Sequence, residues 1–229
     1  MKKVSFFSVK KKSILIFCCA LFFFVSCFLG IAVRTVIAKP NLQPTIVVDA
    51  GHGGRDGGAV GELSNESELN LKYARCLQEI LTQNGYNVVM TRDDMAGLYN
   101  PLSSNKKKSE MEKRIKIIKK ANPDLVVSVH MNSFQSQQVR GAQVFSADTT
   151  SSFALGECVQ TQLYDNIDFA KKTVKKGDYY ILNCSPCPSI LIECGFLSNP
   201  EEERLLVDKD YMQKFCYAVF CGIFDYYRI

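Results

Sequence analysis

Histidine is nearly absent. The chain of 229 residues carries two, His52 and His130, so a site built on three imidazoles is excluded. An excess of charge of one sign is lacking as well, once the first twelve residues are set aside. Those hold five lysines (Lys2, Lys3, Lys10, Lys11, Lys12) and no acid, and the rest balances 23 basic against 23 acidic residues. A neutral body has no electrostatic footprint for nucleic acid. There is no GxSxG sequence, which excludes a serine hydrolase of the nucleophile-elbow kind. From Thr45 onward there is no internal repeat and no low-complexity tract. An even cysteine framework is missing too. Of ten cysteines, Cys18, Cys19 and Cys27 fall in an apolar N-terminal run. The other seven (Cys76, Cys158, Cys184, Cys187, Cys194, Cys216, Cys221) are odd in number and not spaced like a small stapled domain. Their apolar neighbours make them read as small buried hydrophobes. Cys184-Ser-Pro-Cys187 is a CxxC without the strand before and helix after that a thiol oxidoreductase needs. With 47% hydrophobic and 22% charged residues, a disordered chain is excluded.

What is present starts with a membrane address. Ser13 to Val33 is a run of 21 residues without charge, and about 20 apolar residues cross a hydrocarbon core. The lysines precede it, which keeps that side cytoplasmic and sends the rest outside. Two readings stand: an uncut signal anchor, or a signal peptide cut after Val36-Ile37-Ala38. The run exceeds the ~7–15 residues of a secretory core, which favours the anchor. The chain divides into a basic tail and membrane segment (1–38), a spacer (39–44) and a folded domain (45–229).

In that domain, strand and helix patterns alternate. Strands are expected at Thr45–Asp49, Asn87–Thr91, Leu125–His130, Ala142–Phe145, Tyr179–Leu182 and Ser189–Glu193. Helices are expected from Ser64 or Asn65 to about Asn84, from a capping box of Ser109 and Glu112 to just before Pro123, over Thr150–Leu163, from Asn199-Pro200-Glu201, and over Asp210–Tyr226. Arg92–Lys108 reads as a polar loop, more a solvated connector than a gate. Such alternation predicts an α/β fold: a twisted, largely parallel (mixed) sheet flanked by helices on both faces, after an N-terminal membrane helix.

Sites in such sheets form at the carboxyl ends of the strands, and both histidines fall there. His52 lies in Asp49-Ala-Gly-His-Gly-Gly54, where Gly51, Gly53, Gly54 and Gly57 let the backbone approach a neighbour closely. His130 ends the third strand. Two imidazoles suggest a metal in need of a third ligand. Glu66 is the best candidate: it shares a helix face with Leu69 and Tyr73, whereas Glu68 looks to solvent. A carboxylate aimed at the core is costly unless paired or bound to a cation. His, His and Glu with an open fourth position is a catalytic zinc set. Glu193 closes the run Ser189-Ile-Leu-Ile-Glu193, where desolvation raises a carboxyl toward the working range of a general base.

Six segments occur in one order: Asp49-Ala-Gly-His52-Gly-Gly, Gly57-Gly-Ala-Val-Gly61, Glu66-Ser-Glu-Leu-Asn-Leu71, Thr91-Arg-Asp93, Ser128-Val-His130-Met-Asn132 and Ile192-Glu-Cys-Gly-Phe-Leu-Ser-Asn199. Together they resemble the zinc-dependent N-acetylmuramoyl-L-alanine amidases (amidase type 3) of bacterial cell-wall metabolism, over about residues 45 to 227. Asp56-Gly-Gly-Ala-Val-Gly61, Gly141-Ala-Gln143 and the short layout resemble most the germination-specific amidases of spore formers. The resemblance implies one Zn²⁺ held by His52, Glu66 and His130, with Glu193 as the catalytic glutamate. It further implies a peptidoglycan substrate, extracytoplasmic action in the spore cortex, formation of muramic-δ-lactam, and an accessory activator protein as a partner. Asn132 and Arg114 are candidate substrate contacts. Asp49 is a candidate for orienting a ligand imidazole, a strand-end turn being the alternative. Ala50 and Ser67 stand where proline and lysine are common in the family, and Cys194 beside the catalytic glutamate is unusual.

Overall fold

The computed structural model describes residues 43–229. These form one compact unit; the apolar run Ser13–Val33 lies outside the described residues. No helix among the described residues is long and apolar enough to cross a membrane. The elements run β1 (Thr45–Ala50), α1 (Glu66–Gln83), β2 (Asn87–Met90), α2 (Lys106–Ala121), β3 (Leu125–Asn132), β4 (Gln143–Ser146), α3 (Thr150–Asn166), β5 (Lys175–Lys176), α4 (Tyr180–Cys184), β6 (Ser189–Phe196), α5 (Pro200–Val207) and α6 (Lys209–Tyr226).

The six strands form one sheet in the order β2-β1-β3-β6-β4-β5. All neighbours are parallel except β4 and β6, which run antiparallel. The sheet is thus mixed and largely parallel, as the alternation predicts. Period-two geometry sorts the strand residues. Ile46, Val48, Val127, Val129, Ile190 and Ile192 pack beneath α1, α3 and α6. Val47, Val126 and Leu191 pack on the opposite face against Ile115 and Ile118 of α2 and Ile181 and Leu182 of α4. Both faces are covered, which is why β1, β3 and β6 read as continuous apolar runs.

The helix starts follow capping chemistry, with one correction. Asn65 caps α1 by accepting the Glu68 N–H, and Asn199 caps α5 by accepting that of Glu202, with Pro200 as the first helical residue. The Ser109–Glu112 capping box is not formed. Asn105 caps α2 instead, accepting the Lys108 N–H, and Ser109 lies inside the helix, its hydroxyl bonded back to the Lys106 carbonyl. The asparagine supplies the same acceptor one turn earlier. The lysine run 106–108 is therefore the first turn of α2 and not the end of a loop. A second correction concerns Tyr179–Leu182. That run forms the short helix α4, in which only Ile181 and Leu182 are buried; four apolar residues carry no period that distinguishes the two states.

The α3–α6 contact leaves no room at Gly222, where a Cβ would run into the Val159 backbone. Gly222→Ala is expected to lower stability by about 1–3 kcal/mol through overpacking, read as a lower urea midpoint at unchanged slope.

Candidate metal centre

The carboxyl ends of β1, β3 and β6 open into a cleft of about 440 Å³ lined by His52, Glu66, His130 and Glu193, with Met111, Asn132, Tyr179 and Tyr180 among its walls. β1 leads directly into the glycine turn. His52 adopts φ 57°, a left-handed conformation uncommon for a residue with a side chain. Gly51 has to be glycine: a Cβ there would strike the His130 ring. Gly58, at φ +67°, would likewise meet the Glu66 carboxyl. The glycines thus bring two backbone segments against the two groups that matter most.

Glu66 opens α1 and is 5% exposed. Its Oε1 lies 3.1 Å from His52 Nε2 and 2.8 Å from His130 Nδ1. Its Oε2 accepts the Ala59 N–H at 2.8 Å, and the Asn70 amide donates to Oε1 at 3.3 Å. The imidazole centroids are 5.1 Å apart and nearly perpendicular. Ligand atoms of His52, Glu66 and His130 all lie within 4.8 Å of one another, a set able to hold a metal ion. Burial opposes ionisation of Glu66, but the bonds and charges of His130 and His52 outweigh it and hold the carboxyl far below its usual range. Burial also opposes the His52 cation, and Glu66 and Asp56 reverse the balance and raise its pKa. His52 Nδ1 lies 2.9 Å from Asp56 Oδ1 but off the direction of a hydrogen bond. Asp56 escaped the sequence reading, although it stands four residues after His52 in the quoted glycine segment.

Glu193 pairs with His130 across β3 and β6, so both side chains leave the sheet on the same face. It is 8% exposed, and its Oε2 is a buried atom without a hydrogen-bond partner. Burial, reinforced by the Glu66 charge and opposed by the imidazoles, pushes its pKa up to about 7. β6 continues past Glu193 to Phe196, so the glutamate stands inside the strand and not at its end.

The remaining candidates separate. Asn132 borders the cleft half-buried, its side-chain oxygen accepting the Ser133 N–H. Arg114 lines the cleft floor but is only 2% exposed. Its guanidinium is engaged by Asp49, Glu110 and the carbonyls of Ala50 and His52, so it fixes the glycine turn and presents no free fork to a substrate. Asp49 accepts from Thr91, Ser128 and Arg114, and neither imidazole is among its partners. The Thr91-Arg92 pair, quoted only as part of a resemblance, thereby gains a role. Thr91 bonds Asp49, and Arg92 donates to the carbonyls of Ala50, Gly51 and Ser67, joining β1 to the start of α1.

Two adjacent acids of α5 hold two connecting segments. Glu202 accepts the N–H groups of Gly141 and Phe196. Glu203 accepts those of Glu62, Leu63 and Ser64, just before Glu66. All seven cysteines of the domain are free; Cys194 and Cys216 are buried as expected, whereas Cys76, Cys158, Cys184, Cys187 and Cys221 are only half-buried.

Two imidazoles and a carboxylate around one point, with an unpaired acid beside them on the neighbouring strand of a mixed sheet, define a hydrolase-type site able to hold a metal ion. The profile of the N-acetylmuramoyl-L-alanine amidases matches residues 46–225. The chain is 34% identical over 188 residues to the germination-specific N-acetylmuramoyl-L-alanine amidase of Bacillus subtilis, covering 80% of this chain and 79% of that one. Among solved structures, the CwlD amidase of Clostridioides difficile, determined in complex with the GerS lipoprotein, superposes with a TM-score of 0.78 at 36% identity, covering 81% of this chain and 99% of that one. The catalytic domain of CwlV, an amidase from Bacillus (Paenibacillus) polymyxa var. colistinus, gives a TM-score of 0.73 at 28% identity, covering 82% and 99%. The chain belongs to the N-acetylmuramoyl-L-alanine amidase family and is an enzyme of that class.

The buried Asp49–Arg114 pair has a measurable signature. Burial works against the Asp49 anion, but Arg114, Ser128 and Thr91 overcome it and hold the folded-state pKa below its ordinary value. A depressed pKa contributes stability above the unfolded value, near pH 4, that is lost as pH falls through the folded value. Arg114→Met is expected to cost about 3–5 kcal/mol by leaving that charge unpaired. Urea titrations from pH 7 down to pH 3 check it: the cost shrinks as Asp49 is protonated.

Proposed function

We propose that this enzyme hydrolyses the amide joining the lactyl group of N-acetylmuramic acid to L-alanine in peptidoglycan, with zinc held by His52, Glu66 and His130 and Glu193 as general base. The observation that carries the reading is the convergence of His52 Nε2, His130 Nδ1 and Glu66 Oε1 beside a buried Glu193 oxygen that has no partner. The donors suit the ion: two imidazoles and one carboxylate are a borderline-soft set that leaves a position open. Zinc bound there supplies a Lewis acid, acidifying water and polarising the scissile carbonyl.

The chain's own groups carry the rest. Burial raises the proton affinity of the Glu193 carboxyl and the charge of a bound zinc would lower it again, so the group is a carboxylate able to accept a proton at neutral pH. Glu193 takes the proton of the attacking water on its free Oε2 and passes it to the departing alanine amine. Its burial limits competing water, which strengthens every charge interaction at the carbonyl. Glu66 keeps the two ring nitrogens aimed inward, and Arg92 and Arg114 hold the turn that carries His52.

Likeness to the germination-specific enzyme and to CwlD supports a role in the spore cortex, where release of the peptide frees the muramic acid carboxyl for δ-lactam formation. The neighbour bound to a lipoprotein supports an accessory activator for this chain. The apolar Ser13–Val33 run supports delivery across a membrane with the domain outside.

Glu193→Gln is expected to keep about one zinc per chain and lose at least about 10²-fold in cleavage, the lower range for a general base. His130→Ala is expected to lose both metal and activity. Metal analysis and mass spectrometry of digested muropeptides read the two quantities separately. A Glu193→Gln enzyme that cleaves normally would overturn the assignment. Peptidoglycan from a deletion strain tests the role: loss of muramic-δ-lactam supports the cortex, and a failure of daughter-cell separation speaks for a vegetative one.

A further inference from the structure

We propose that the aromatic face at the amino ends of β1 and β2 contacts lipid, seating the domain on a membrane with its cleft turned away. This rests on the reading of Ser13–Val33 as a membrane segment that stays attached. Along α6 and its end, Tyr217, Phe220, Phe224 and Tyr227 recur at helical spacing. Tyr217 is 57%, Phe224 44% and Tyr227 38% exposed, although their rings adjoin. Tyr217 and Phe220 are 5.7 Å apart, Phe220 and Phe224 6.2 Å, and Tyr86 stands 5.8 Å from Tyr227. With Gln43, Pro44 and Asn84, the rings of Tyr86, Phe220, Phe224 and Tyr227 border a groove of about 270 Å³. Exposed apolar side chains are ordinarily scattered, and a contiguous set marks an interaction surface.

Three observations select lipid. First, the rings are tyrosine and phenylalanine, and the Arg228 guanidinium stands over the Phe224 ring. Amphipathic aromatics beside basic side chains suit the headgroup level of a bilayer. Second, the chain enters the domain at this face. Gln43 borders the groove and stands ten residues after Val33. At ~3.3–3.6 Å per residue, that spacer keeps this end within roughly 35 Å of the hydrocarbon. Third, the direction is right. β1 and β2 begin here, at Thr45 and Asn87, whereas His52 and His130 belong to the opposite strand ends. Strands of this length separate the two by about 20 Å, enough for the cleft to face the wall while the aromatic end meets the membrane.

The chain contains no tryptophan, so one introduced tryptophan reports its own surroundings. Full-length protein carrying Phe224→Trp is reconstituted in phosphatidylcholine–phosphatidylglycerol vesicles. The expected result is a blue-shifted emission quenched by brominated lipid. Leu102→Trp, at a 94% exposed position in the segment leading to α2, is expected to show neither. In residues 43–229, Tyr217→Ser with Phe224→Ser is expected to lower vesicle partition about tenfold, on the scale of burying an aromatic ring, with muropeptide cleavage unchanged. Emission from Phe224→Trp that ignores lipid, or an equal response from both positions, overturns the proposal. So does self-association of the domain that the serine changes abolish, which would make the face an interface between two copies. Cleavage is read on the same samples, so failure of the catalytic reading leaves the lipid result standing by itself.

Discussion

Two imidazoles meeting one buried carboxylate oxygen is the interaction around which the molecule is arranged. Glu66 lies at the amino end of α1, where the helix dipole favours a negative charge, yet it is almost wholly removed from water. That position is tolerable only with cationic or donor groups on every open side. The glycine turn after β1 delivers His52, β3 delivers His130, and the Ala59 and Met131 N–H groups take up further lone pairs. Parallel pairing of β1 and β3 brings the two histidines to the same edge. The sheet, the turn and the first helix are in this sense consequences of accommodating one acid.

A second buried acid does the opposite work. Asp49 lies in β1, three residues before His52 and far from solvent, but it faces a fixed guanidinium. The two carboxylates illustrate how environment assigns roles. Asp49 is neutralised by the protein itself and becomes scaffold. Glu66 is left with ligands that a cation can share. Glu193 has neither, and its raised proton affinity follows from that isolation.

Much of this was legible in the residue order. Alternating apolar runs gave the layers, and the helix face shared by Glu66, Leu69 and Tyr73 singled out the acid that meets both imidazoles over Glu68, which pairs with Lys72 at the surface. Less legible was whatever depends on side-chain reach. Arg114 looks like a free anion receptor in sequence and proves to be an internal strut, because nothing in α2 announces that Asp49 stands opposite. Asp56, Glu202 and Glu203 act through backbone N–H groups or one neighbouring ring, a partnership with no periodic signature. The β4–β6 pair, antiparallel in an otherwise parallel sheet, also left no trace in its four residues. Asn105 and Ser109 both fit a helix start, and only the geometry of the preceding segment chose between them.

The consecutive acids Glu202 and Glu203 tie two segments that continue from the cleft wall to a single turn of α5. One runs from Ala59 to Glu66, the other from Ser133 to Gly141, and Ala59 and Ser133 line the cleft. Because both hang from the same short helix, they form one mechanical frame and not two independent loops. Remodelling either segment therefore strains the other, and the cleft is most economically reshaped on α2 and α4, which line it without being fastened to that frame.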